Sequence, residues 1–332
     1  MEAGYAFALQ TGWNRDPGFG RPFRRIMLGW LESIDPSLAA ALISAVVSVA
    51  VAVMTVLLAP TLKYGLDSRL ESRKLDLHYR SEQRKALREH IARHKGRILE
   101  TAADLNDRLA NFVRLADAKD WLVLEGRYPG GSYSRTFAQR LISHWCVIQQ
   151  FTDSAIYVDA TVATKGDLAF LKILRLNIGI WTDASLFEGL PYDPARATEH
   201  FFQGQLSDMV TSLLASADGD GDMTLGELRR AFTAALDDEP ETYRSIFMFL
   251  DGLQPGRLKY QRLLAAHLML MITLNDFGYD HQRTAPERMR RVVDLLDPLI
   301  RRNFVLLLRE AHVEEQTEVK ALLAMLALPG DK

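Results

Sequence analysis

Residues 38–60 read LAAALISAVVSVAVAVMTVLLAP, 23 positions without a charged side chain. As a helix rising 1.5 Å per residue, this run matches the ~30 Å hydrocarbon core of a bilayer. Its only polar members, Ser44, Ser48 and Thr55, carry hydroxyls that bond back to helical carbonyls. A buried core helix is usually shorter and amphipathic, so the run predicts one transmembrane span over residues 37–61. Secretory signals have a shorter basic region and apolar core followed by a small-residue cleavage site. Pro60-Thr61-Leu62-Lys63 offers no such site, and a retained anchor is expected.

The flanks orient that span. Residues 1–36 contain four basic side chains, Arg15, Arg21, Arg24 and Arg25, whereas the equal-length flank from Leu62 to Arg97 contains eleven. By the excess of Lys and Arg on the inner face, the C-terminal part is expected in the cytoplasm. The tail segment 21–31 (RPFRRIMLGWL) is either a short interfacial helix or an unstructured tail with a tryptophan anchor. Net charge is -2, which argues against a nucleic-acid partner. The single cysteine, Cys146, excludes an intramolecular disulfide and a cysteine-cluster metal site, and its apolar setting reads as core.

Beyond the span, helical periodicity dominates and strand alternation is nearly absent, so the fold class is all-α. Residues 62–120 form a charged helical stalk. Within it Ile91, Ile98, Leu105 and Phe112 recur every seven residues, beside Leu87, Ala102 and Leu109, making a seam for a coiled coil or for packing onto the same chain. His94, Thr101 and Arg108 fill the intervening positions and favour packing. The portion nearest the span resembles a solvated stalk whose basic residues can touch anionic lipid headgroups. A helical subdomain over 121–197, a helix–loop–helix pair over 198–271 and C-terminal helices over 272–332 complete the domain order. Helices are expected at 135–157, 167–181, 195–216, 225–236, 239–250, 258–277 and 286–308, the last extending toward Leu328. Leu263–Leu274, interrupted by His267, is too short to cross a bilayer and reads as a core helix.

Residues 216–228 read SADGDGDMTLGEL between two amphipathic helices. This resembles an EF-hand, in which two helices flank a twelve-residue calcium loop. Glu227 takes the closing bidentate position and Gly221 the sharp turn. Asp218 and Asp220 sit at positions three and five, Asp222 offers its carbonyl at seven, Met223 is the apolar bridging residue and Thr224 stands at nine. Ser216 replaces the usual aspartate at position one, which weakens the expected calcium affinity toward ~10⁻⁵ M or poorer. Asp251–Arg262 (DGLQPGRLKYQR) matches a second, degenerate loop, with Gly256 at its turn and Leu258 opposite Met223. Leu253, Pro255 and Arg262 occupy its ligand positions, so it cannot bind calcium; it would serve as the pairing partner, with Arg262 supplying the missing positive charge. The resemblance implies a binding or sensing module and no reaction.

Other chemistry-bearing residues have plainer readings. His90 and His94, four apart on a basic helix, are expected to be solvated rather than metal-bound. His144 and His267 read as satisfied core histidines. Asn275, Asp276, Asp280 and His281 read as a helix cap and turn, with a cleft lining as the alternative. No phosphate-binding glycine loop, nucleophile elbow or zinc-protease helix is present in the sequence, so no enzyme mechanism is named. Two functions follow as expectations. The first is a membrane-anchored helical sensor or scaffold, calcium-responsive through one loop and read by a protein partner. The second is an oligomeric, channel-like membrane effector assembled through Ser44, Ser48 and Ala52, small residues spaced four apart.

Overall fold

The computed structural model describes residues 35–115, 131–155, 159–195, 198–216 and 223–327, and among these every regular element is helical. Two units emerge, Met1–His78 and Tyr79–Lys332.

In the first unit, helix α1 (Pro36–Val53) starts where the chemistry of its first residues dictates. The Asp35 carboxylate accepts from the Ser37 amide at 3.0 Å and the Ser37 hydroxyl at 2.8 Å, and Pro36 fills the first helical position, where no amide is needed. None of the α1 side chains is buried. Five residues, Met54–Leu58, then widen to π-helical geometry before α2 (Ala59–Leu115) continues. Two residues further on the sequence has Pro60, which has no amide to donate to a helical ladder. Residues Pro36–Val56 form one helix long and apolar enough to cross a membrane.

The second unit is built on two long seams. From Leu87 onward α2 buries Ile98, Leu99, Ala102, Leu105, Leu109 and Phe112 in the core of the chain. Helix α3 (Ser132–Ser154) buries Phe137, Leu141, Trp145, Ile148 and Phe151, and Cys146 beside them, its thiol pushed up in pKa by burial. Helix α4 (Lys165–Thr182) opens on a capping box, with the Asp167 amide donating to Thr164 Oγ1 and the Thr164 amide donating to the Asp167 carboxylate. Helices α5 (Gln203–Ala215), α6 (Leu225–Asp238) and α7 (Arg244–Leu250) pack on α3. Helix α8 (Leu258–Phe277) is buried nearly all round and packs against α4, α9 (Pro286–Asp294) and α11 (Thr317–Leu326). Helix α10 (Pro298–Glu310) lies on the short 3-10 turn Ala184–Phe187.

Four departures from the predicted helices exceed a shift of three residues at an end. Helix α5 starts at Gln203 rather than 195, because Phe201 leaves the helical path to insert among Trp145, Trp181 and Phe249, with ring centroids 5.0, 6.3 and 5.0 Å away. The predicted helix 239–250 begins only at Arg244, after turns over residues 240–243. The predicted helix 286–308 is two helices. Pro298 starts α10, with the Leu299 amide donating to the Asp297 carboxylate at 2.8 Å, because proline cannot continue an α-helical ladder. Helix α10 ends before His312, whose φ of 52° breaks the extension toward Leu328, and α11 restarts at Thr317.

Candidate functional site

The acidic loop joins α5 to α6. At its entry, Ser216 ends α5, and its hydroxyl donates to the Leu213 carbonyl at 2.8 Å. Asp218, Asp220, Gly221 and Asp222 lie outside the described residues. At its exit, Met223 is buried, and Thr224 and Glu227 are brought together at the N-terminus of α6. The Thr224 amide and hydroxyl both donate to Glu227 Oε2 at 2.7 Å, and the Glu227 amide donates to Thr224 Oγ1 at 3.3 Å. That is a capping box, a complete reason for this pair without any metal. These Thr224 hydrogen bonds hold the exposed Glu227 carboxyl below its usual pKa, with Arg230 and Arg97 adding in the same direction. The carboxylate is therefore ionised near neutrality. Among the described residues no group of three or more His, Cys, Asp or Glu side chains gathers to hold a metal.

One contact at this exit has no counterpart in sequence reasoning. Arg97, on α2, donates to the Met223 carbonyl and, at 3.1 Å, to Gln150 Oε1 on α3. Its position on a charged helix carries no signal of this. Only the packing of α2, α3 and the α6 entrance brings it there.

The second loop, 251–257, links α7 to α8. Gly256 and Gly252 have φ of 86° and 60°, the left-handed region that glycine enters without a Cβ penalty. Leu258 packs partly buried against the core. Arg262 does not supply charge to this loop. It is fully buried against other neighbours, where Nε donates to the Glu199 carbonyl at 3.0 Å, Nη1 to the Ile180 carbonyl at 2.6 Å, and the guanidinium lies 4.5 Å from the centre of the Phe187 ring. Burial lowers its pKa to about 10, which still leaves it cationic. Lys259 takes the expected role instead. Its ammonium donates to the Met248 carbonyl at 3.2 Å and to the Asp251 carbonyl, neutralising the C-terminal end of α7. The swap follows from helical geometry: residues 259 and 262 lie about 60° apart around α8, enough to reach different neighbours.

The remaining candidates also resolve. His90 and His94 are buried, not solvated: Phe151 of α3 stacks on His90 at 4.8 Å, and the two imidazoles lie 4.8 Å apart. His90 Nε2 is hydrogen-bonded to the Phe151 carbonyl at 3.0 Å. His144 Nδ1 meets the Thr101 hydroxyl at 3.1 Å, and burial pushes its pKa down to about 3. His267 is not a satisfied core histidine, because neither ring nitrogen has a hydrogen-bond partner among the described residues. Asn275 ties three segments together: its amide donates to the Thr284 carbonyl and to Glu318 Oε2, both at 3.1 Å, and its oxygen accepts from the Thr284 amide at 2.7 Å. Asp276 accepts from the Glu318 amide at 3.4 Å, and burial raises its pKa to about 6. Asp280 and His281 lie apart from this knot, on an exposed turn where His281 stacks on Tyr279.

No family model matches this chain, and no match is found among curated proteins or solved structures.

Proposed function

We propose that this chain is a membrane-anchored helical sensor or scaffold, held by a single span at Pro36–Val56, with its C-terminal body in the cytoplasm. The observation that carries the reading is an uncharged 21-residue helix with none of its residues buried, joined to an all-helical body. Burying that much apolar surface in lipid offsets an exposure that water disfavours. Lys63, Arg69, Arg73 and Lys74 are exposed on the helix that follows, where they suit an anionic headgroup layer.

Calcium enters through the loop from Ser216 to Glu227. What supports this is the spacing of carboxylates in the loop sequence, with Glu227, whose carboxyl is ionised, at its end. Filling the loop would reorient α5 and α6, and a protein partner would read the change. Assembly of several copies through Ser44, Ser48 and Ala52 is the competing proposal, with a channel-like role.

The deciding test uses the full-length chain. Retention of the N-terminus and resistance to carbonate extraction support the anchor, and a processed, extractable product refutes it. In detergent, millimolar calcium should raise the melting temperature, and Glu227→Gln should remove that rise while keeping the helix cap. No calcium response leaves the loop structural. Loss of oligomers on Ser44→Leu and Ser48→Leu would favour the channel-like reading.

A further inference from the structure

Between α10 and α11 runs a groove of about 320 Å³ that is open to solvent. From α10 it is lined by Arg302, Val305, Leu306 and Arg309, and from α11 by Leu323 and Leu326. Residues three, four and seven apart share a face of a helix, so the α10 set forms one stripe. The opposite stripe, Ile300, Phe304, Leu307 and Leu308, is buried in the core. The groove floor is therefore apolar surface that core formation leaves over, and Leu306 is 44% exposed within it.

Both ends of that apolar stripe carry a cation. Arg302 and Arg309 stand seven residues apart, roughly 10 Å along the helix axis. Both are exposed, and neither has an ion pair or hydrogen bond among the described residues. Their basic neighbours are engaged: Arg301 donates to the Leu296 carbonyl at 3.1 Å, Arg290 to the Met325 carbonyl at 3.1 Å, and Lys320 pairs with Glu315 at 2.9 Å. Arg309 suits the last turn of α10, where a cation meets the negative end of the helix dipole. Arg302, in the second turn, has no such use, and no carboxylate is among the described residues that line the groove.

We infer that this groove binds an amphipathic helix of a partner protein, whose apolar stripe lies on Val305, Leu306, Leu323 and Leu326 while two carboxylates, two turns apart, meet Arg302 and Arg309. Charge complementarity selects this occupant. A single-headed lipid satisfies one guanidinium and leaves its tail against the other, whereas a helix repeats its carboxylates at the same rise of about 1.5 Å per residue as the arginines. A second copy of this groove would set arginine against arginine, which disfavours self-pairing through the same face. The inference names a partner class for the scaffold reading and rests on that reading for its role, but not on the anchor or on calcium.

The test uses the full-length chain in detergent and a fluorescent alanine-based peptide of about 18 residues, long enough to be helical. The peptide carries two central leucines and, on the same face, glutamates seven positions apart; a control has glutamine at both glutamate sites. Fluorescence anisotropy at low salt should show the glutamate peptide binding roughly tenfold more tightly than the control, as two exposed ion pairs allow, and high salt should erase the preference. Arg302→Glu with Arg309→Glu should turn the preference toward a lysine version of the peptide. Arg288→Glu with Arg291→Glu, on α9 and not lining the groove, should leave it unchanged. Leu306→Asp should abolish binding with little change in melting temperature, because that side chain is at the surface. Equal binding of the two peptides, or an equal loss from the α9 pair and the groove pair, overturns the inference. Tighter binding of short-chain phosphatidylserine than of the peptide makes the occupant a lipid, and peptide binding seen only after removal of residues 328–332 makes it the chain's own end; either result also overturns it. None of these outcomes turns on carbonate extraction or on the calcium response, so the anchor and the loop stand or fall separately.

Discussion

His267→Leu should stabilise this protein, and more strongly in acid than at neutrality. His267 sits mid-way along α8, only 1% exposed, with neither ring nitrogen partnered among the described residues. A buried polar group without a hydrogen bond costs about 1–3 kcal/mol. Burial, helped by the charge of Arg288, pushes its pKa down to about 3, against 6.5 for an ordinary histidine. A base with a depressed folded pKa contributes stability that is present above pH 6.5 and lost as pH falls toward 3, because the unfolded chain takes up the proton first. Integrated from pH 7 to pH 5, the loss is about 2 kcal/mol. Leucine cannot titrate and leaves no polar atom unpaired. The variant should therefore be more stable by about 1 kcal/mol at pH 7 and about 3 kcal/mol at pH 5. Urea unfolding of the full-length chain in mild detergent, followed by the fluorescence of buried Trp145 and Trp181, measures both values. An identical difference at the two pH values would show that His267 does not titrate on unfolding. A loss of stability at both would show that the imidazole makes contacts leucine cannot replace.

Two further substitutions test the packing. Phe201→Ala removes a ring held among Trp145, Trp181 and Phe249 and should cost about 4 kcal/mol, a fall in melting temperature of roughly 8–16 °C; a fall under a few degrees would mean the extended segment before α5 carries little of the core. Gly278→Ala should destabilise by about 1–3 kcal/mol, because a Cβ there would lie 2.3 Å from the Leu274 carbonyl oxygen, while Gly179→Ala, with open space around it, should stabilise slightly. Thermal melts of the pair check the contrast, and matching shifts would remove the steric argument.

Much of the local structure is legible in the residues. Thr164 with Asp167 and Thr224 with Glu227 mark helix starts because a short side chain three residues before a carboxylate satisfies two amides reciprocally. Pro298 carries its own signal too. A helical period that runs through 286–308 is outweighed by one residue lacking an amide, and the break is local chemistry. Of the candidate loop, Thr224 and Glu227 are seen as the cap of α6. Arg97 is invisible, since 126 positions separate it from Met223.

The sequence by itself determined the all-helical class, the uncharged helix and the helix ends set by proline, glycine and capping pairs. Each of these depends on groups within about four positions of one another, the reach of a helical hydrogen bond. The tertiary structure alone decided which polar side chains are buried and what they touch. His90 and His94 lie on a helix face that looks solvated until Phe151 covers it. Lys259 and Arg262, one turn apart, reach different neighbours because α7 lies on one side of α8 and the Ile180–Glu199 backbone on another. Those assignments follow from how helices pack, and packing is a sum over distant contacts that no short window of sequence contains.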